Sequence, residues 1–152
     1  MSILGGVTAS QTIFVEAQDE RISYDSTAIT GPAWELVPPS ADACDTPQML
    51  SNRQGDYLSF TFTGIGVSVI GTKGVRQGLI DFYVDGIWNT TVDRGRPQLM
   101  CDEVLFEMSD LYKQEHTIIG MLGGLGINPE TGEEDGVSPV QRLKYTAPDD
   151  PQ

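Results

Sequence analysis

The sequence predicts an all-β protein, an antiparallel β-sandwich of jelly-roll type, and three observations support this. Leu58, Phe60 and Phe62 alternate with Ser59, Thr61 and Thr63, Val67 and Val69 repeat the pattern, and Ile80, Phe82 and Val84 repeat it again. This is the period of strands buried on one face. Asp85-Gly86 supplies the positive backbone angles of a two-residue hairpin turn. Seventeen glycines and nine prolines among 152 residues favour many turns over long helices.

Taken in order, residues 12–16 and 21–24 read as short strands, with Asp19-Glu20 as the turn between them. Residues 25–54 are irregular, broken by Gly31, Pro32, Pro38, Pro39 and Pro47. A loop of that length in a compact domain is functional or caps one end of the scaffold. Residues 57–92 read as a meander of antiparallel strands. Residues 102–108 and 117–122 are further strands, and 109–114 a turn with a single helical coil at most. Residues 123–136 are glycine-rich and acidic, hence a loop. Residues 137–145 read as the last strand, which Pro139 either confines to an edge or makes irregular at its start, and 146–152 as a solvated tail. Without an internal repeat or linker, residues 1–152 read as one domain, its core at about 11–146 with a flexible tail over 147–152.

The formal charge of −13 argues against nucleic acid, which needs clustered cations, and against anionic membrane surfaces; its plain reading is solubility. Four of the nine cations, Lys73, Arg76, Arg94 and Arg96, fall close together in sequence and form a small basic island. No apolar run approaches membrane-spanning length, so no membrane insertion is expected. Met1–Val7 lacks the basic start and apolar stretch of a signal peptide, which leaves a cytoplasmic location open. Cys44 and Cys101 allow one intrachain disulfide if the chain is secreted, and are free and buried if it is not. With a single histidine and no zinc spacing, a nitrogen-and-sulfur metal site is not expected.

The run FTFTGIGVSVIGTKGVRQGLIDFYVDG, followed by EVLFEMSDL and EHTIIGML, resembles a jelly-roll module of the galactose-binding-like class. Such carbohydrate-binding-module-like domains occur in glycan-acting enzymes and in secreted or membrane-anchored proteins of basidiomycete fungi. AQDERISYDS, with Trp34 and Cys44 after it, resembles the opening of the fungal version. The resemblance covers about residues 18–122. It implies a carbohydrate ligand and an extracellular or cell-surface setting. The chain departs from the pattern in the basic residues Arg142 and Lys144 before Tyr145-Thr146, and in the long 123–136 segment.

Sugar recognition wants flat aromatic faces flanked by groups that bond hydroxyls. Trp34, in the long loop, is a candidate stacker, and the competing reading has it capping the core. Trp88 shares strand parity with Thr90 and Val92, which turns it toward the core near the rim if Val92 faces inward, and the core edge and an exposed platform both stay open as its place. The 71–78 loop presents Lys73, Arg76 and Gln77 as donors, and Arg94 could approach from the neighbouring 94–97 loop, favouring a carboxylate-bearing ligand. Asn89 could bond hydroxyls too, and Asn89-Thr90-Thr91 is an N-glycosylation sequon. Glu16, Asp19 and Asp25 resemble the acidic residues of calcium-stabilised jelly rolls, although solvated turn carboxylates are the simpler reading.

His116 is the sole histidine, and no nucleophile elbow accompanies it. The resemblance includes a His-Thr pair of structural character there. The expected function is therefore non-catalytic, lectin-like binding of a glycan or polysaccharide through Trp34, Lys73, Arg76, Gln77, Trp88, Asn89 and Arg94, with avidity from a homo-oligomer or attached domains. The rivals are a structural or adhesion module that pairs through a strand edge and a small enzyme built on a pocket in the sandwich.

Overall fold

The computed structural model describes residues 10–29, 31, 34–40, 44–51, 53–74, 77–123 and 140–148. Eleven strands follow one another, with no helix among the described residues: β1 (Ser10–Glu16), β2 (Ile22–Ser26), β3 (Glu35–Val37), β4 (Gln48–Leu50), β5 (Asp56–Gly64), β6 (Gly66–Lys73), β7 (Leu79–Val84), β8 (Ile87–Asp93), β9 (Met100–Met108), β10 (Gln114–Leu122) and β11 (Val140–Pro148). They form two antiparallel sheets. The first runs β3-β4-β11-β6-β9, with β1 also on β11; the second runs β2-β5-β10-β7-β8.

The alternation of apolar residues does what the sequence predicts. Leu58, Phe60 and Phe62 of β5, Ile80 and Phe82 of β7, and Ile118 and Leu122 of β10 point inward from the second sheet. Val67 and Val69 of β6, Phe106 of β9, and Val140 and Leu143 of β11 meet them from the first. Phe82 stacks on Phe106 across the sandwich, with ring centroids 4.8 Å apart.

The meander is corrected. Strands β5, β6 and β7 do not pair with one another: β5 lies between β2 and β10, β6 between β11 and β9, and β7 between β10 and β8. Within the 57–92 run the chain therefore switches sheets from β5 to β6 and from β6 to β7, and of these strands only β7 and β8 pair as a hairpin. Alternation reveals which face is buried but not which sheet a strand joins. The first switch, Gly64-Ile65-Gly66, runs against β11. A Cβ on Gly64 would collide with the Thr146 carbonyl oxygen, and Ile65 N–H donates to that same oxygen at 2.9 Å.

Two three-residue strands, β3 and β4, lie inside the segment read as irregular and pair with each other. The last strand continues through Thr146, Ala147 and Pro148, which pair with Thr12, Gln11 and Ser10, so the solvated tail does not begin at Thr146 and the strand outlasts the expected core boundary. Residues 137–139 and most of the 123–136 segment lie outside the described residues. Cys44 and Cys101 form a disulfide with Cα atoms 5.8 Å apart, tying the β3–β4 region to β9.

Candidate functional site

Antiparallel order brings the end of β2, β4 and the end of β6 to the same end of the sandwich as the start of β7. Trp34 sits there half-buried. Its ring lies 5.0 Å from that of Tyr24, it packs against the core, and its indole N–H donates to the Asp25 carbonyl at 3.0 Å. Trp34 thus bridges the edge of the second sheet to β3 and closes the core at that end.

The basic island assembles at the backbone, but not as a surface. Gly74 pairs with Gly95, and Arg96 N–H reaches the Gly74 carbonyl at 3.0 Å. Gln77 is buried, its side-chain oxygen accepting from the Thr72 hydroxyl at 3.0 Å. Arg94 is fully buried. Burial pushes its guanidinium down to about 10, and the nearby Asp93 charge offsets this only in part. Both side chains, read from the sequence as surface donors, lie inside, and Gln77 is tied to Thr72 of β6. Lys73 ends β6 partly exposed. Arg76 lies outside the described residues.

Trp88 takes the exposed position rather than the core edge. The Asp85-Gly86 turn forms, with φ of 53° and 82°, and pairs Val84 with Ile87 and Tyr83 with Trp88. The register then slips by one residue, so that Phe82 faces Thr90. This bulge at Asn89 inverts the parity on the hairpin side. Residues directly opposite share a face, so Trp88 joins Tyr83 on the outside while Val92, opposite Ile80, packs against the core. Asn89 is exposed beside Trp88.

The bulge also makes Trp88 and Thr91 successive outward positions on β8. The indole N–H donates to Thr91 Oγ1 at 3.2 Å, and the Thr91 hydroxyl donates to the Asp81 carboxylate. This chain orients an indole that is 56% exposed. The pairings extend it into two rows across all five strands: Ser23, Ser59, Ile119, Tyr83 and Trp88, and beside them Asp25, Tyr57, Met121, Asp81 and Thr91. Four inter-strand spacings give a breadth of roughly 19 Å. The residues Asp81, Tyr83, Thr91 and Tyr57 were not anticipated, although inward Ile80 and Phe82 already imply outward Asp81 and Tyr83.

The outer face of the first sheet is different. It holds a shallow depression of about 140 Å³, lined by Thr12, Ser68, Glu107, Lys144 and Thr146 over a Gly66 floor, and no aromatic side chain lines it. Ser68 donates to Glu107 at 3.1 Å.

His116 is buried and held by two acceptors, Nδ1 by Asp85 Oδ2 and Nε2 by the Tyr112 carbonyl, both at 2.7 Å. Only the doubly protonated ring can donate to both. The Asp85 carboxylate, aided by the Tyr112 carbonyl, accordingly raises the His116 pKa. Burial pushes Asp85 up, but the bonds from His116 and Thr117 N–H outweigh it and hold the carboxyl below its usual range. This is an anchor between the hairpin turn and the loop before β10.

Asp19 is likewise lowered, chiefly by the Arg21 side chain, whose Nη2 sits 2.9 Å away. A general acid working near neutrality needs the opposite displacement. Among the described residues no three acidic, histidine or cysteine side chains are grouped to hold a metal. Glu16, Asp19 and Asp25 therefore do not converge on a calcium ion, and Asp19 is bound to Arg21.

No family model matches the chain, and no curated protein matches it. Solved structures do. A family two carbohydrate esterase from Cellvibrio japonicus is similar over 91% of this chain and 34% of its own, at TM-score 0.60 and 16% identity. The CBM36-1 domain of a multidomain xylanase from the hindgut metagenome of Trinervitermes trinervoides is similar over 88% of this chain and 95% of its own, at TM-score 0.56 and 11% identity. A family 35 carbohydrate binding module from Clostridium thermocellum is similar over 90% and 97%, at TM-score 0.55 and 11% identity. The chain thus spans about a third of the esterase and nearly the whole of the two modules. These likenesses establish the jelly-roll fold of carbohydrate-binding modules.

Proposed function

We propose that the protein is a non-catalytic carbohydrate-binding module that holds a glycan on the outer face of its second sheet. The observation that carries the reading is Trp88: a large indole left exposed, yet oriented by Thr91 and Asp81. An aromatic surface already fixed in place loses little freedom when a sugar ring lies against it. Tyr83, directly opposite, widens the platform, and Asn89, Thr91 and Asp81 supply donors and acceptors for hydroxyls. The fold shared with the xylanase and family 35 modules points the same way by analogy. The activity named for the esterase belongs to a chain about three times as long and is not carried over.

An extracellular or cell-surface setting accompanies this reading, supported by the Cys44–Cys101 disulfide, since such bonds persist in oxidising compartments. A shallow face binds weakly alone, so attachment to other domains or copies would raise retention.

The test is a glycan-array screen of the folded protein beside Trp88→Ala and Trp34→Ala. The expected result is saturable binding lost in Trp88→Ala, whose circular dichroism is unchanged. Retention unaffected by Trp88→Ala would reject this face as the site.

A further inference from the structure

The two sheets carry similar numbers of carboxylates but differ in their cations. The strands of the second sheet, β2, β5, β7, β8 and β10, contain no lysine or arginine, whereas those of the first contain Lys73, Arg142 and Lys144. The second sheet's outward positions include Asp25, Asp81, Asp93 and Glu115. Three of these lie away from Trp88 or bond locally: Asp25 accepts from Ser26 N–H, Asp93 accepts from Gly95 N–H, and Glu115 pairs with Thr63 toward the far end. Asp81 is the one in the Trp88 chain. One of its oxygens takes the Thr91 hydroxyl, and the other accepts no hydrogen bond among the described residues.

We infer that this face selects glycans bearing free, protonated amino groups, as in oligomers of a deacetylated amino sugar. The inference rests on the reading of Trp88 as the glycan platform. An ammonium on the sugar would find the second oxygen of the partly exposed Asp81 for a charge-assisted bond and the indole face of Trp88 for a cation–π contact. A neutral sugar gains neither. A uronic acid brings its carboxylate toward Asp81 on a face whose strands carry no lysine or arginine, on a chain of charge −13, and is rejected. The selection is therefore opposite to the one the basic island implied.

Titration calorimetry with three soluble probes tests this: an oligomer of β-1,4-linked glucosamine, its fully N-acetylated counterpart and an oligouronate. The expected order is amine above acetamide by roughly tenfold or more, with no binding of the uronate. Asp81→Asn keeps an oxygen for Thr91, and should reduce the amine oligomer to the affinity of the acetylated one. Glu115→Gln removes the same charge from the same sheet without touching the Trp88 chain, and should change nothing. Amine binding that survives Asp81→Asn and Trp88→Ala but disappears in high salt would be attraction to bulk charge, and would overturn the inference. Equal affinity for amine and acetamide, both lost in Trp88→Ala, would overturn the selectivity while leaving the platform standing. Failure of all three probes on folded wild-type protein would overturn the inference, while the platform stands or falls on the array screen with Trp88→Ala.

Discussion

The end of the sandwich closed by Trp34 and the outer face carrying Trp88 present one side chain in two settings. Each indole N–H is bonded, one to the Asp25 carbonyl and the other to Thr91 Oγ1. The loop tryptophan is turned inward against Tyr24 and the core, while the strand tryptophan is turned outward. Loop position does not make an aromatic available; what matters is whether the strands leave apolar surface uncovered. At the Trp34 end two short strands and a crossover leave the core open, and a large ring closes it. On the outer face the sheet is already hydrogen-bonded and backed by the core, so an aromatic there stays in solvent.

The largest expected effect lies at the closed end. Replacing both Cys44 and Cys101 by serine releases a cross-link between residues 57 apart, and should cost about 2–4 kcal/mol in urea denaturation. Trp34→Ala should cost about 2–3 kcal/mol, below the loss for a fully buried aromatic because Trp34 is only half-buried. Neither variant should alter the affinity of the fraction that remains folded. If either abolished glycan retention in folded protein, the two regions would not be independent.

Trp88→Ala inverts that pattern. Its stability change should stay within about 0.5 kcal/mol, as for exposed substitutions, while retention on the glycan selected by the array falls roughly tenfold or more. A cooperative loss of stability instead would show that the outer tryptophan is structural and would erase the contrast.

The anchor at the hairpin turn allows a test by pH. His116 has a raised pKa in the folded chain, so its contribution is fully present below the unfolded value near 6.5 and is lost as pH rises through the folded value. Asp85 has a lowered pKa, so its contribution is present above about 4 and is lost as pH falls through its folded value. The pair therefore stabilises most in the mildly acidic range between those limits. His116→Gln should cost about 1–2 kcal/mol there and remove the fall in stability on moving to alkaline pH. A parent protein whose urea midpoint does not fall as pH rises from that range through the folded His116 value would contradict a charged His116.

Much of the architecture was legible because burial on one face imposes a period of two, and Leu58, Phe60, Phe62, Ile80 and Phe82 follow it without interruption. The Asp-Gly turn was legible for the same kind of reason, since two positive φ angles restrict the residues allowed. Sheet membership was not, because β5 and β6 show similar burial on opposite sides of the core and their order is settled only by pairing with β10 and β11. β3 and β4 are too short to establish a period. Trp88 and Asn89 were legible as candidates, but which way Trp88 turns was not. Parity counted back from Val92 sends Trp88 inward, and the bulge at Asn89, which no local composition marks, sends it out. Gln77 and Arg94 carry the polarity of surface donors, yet the crossovers fold over them.

The smallest effect is the most specific to the contrast, because it concerns how the outer indole is held. Thr91→Val keeps the shape and β-branching of the side chain but removes the hydroxyl linking Trp88 to Asp81. The fold should be untouched, and the indole should gain rotamer freedom that a sugar must then remove, a cost of about 0.5–1.5 kcal/mol for one side chain. Affinity should fall roughly two- to tenfold, less than in Trp88→Ala. Thr91→Ser restores the hydroxyl and should recover most of the loss. Tryptophan fluorescence anisotropy, measured with Trp34 replaced by Phe, should drop in Thr91→Val and return in Thr91→Ser. Equal anisotropy in all three would mean that strand packing alone holds the indole, leaving Thr91 and Asp81 no part in presenting it.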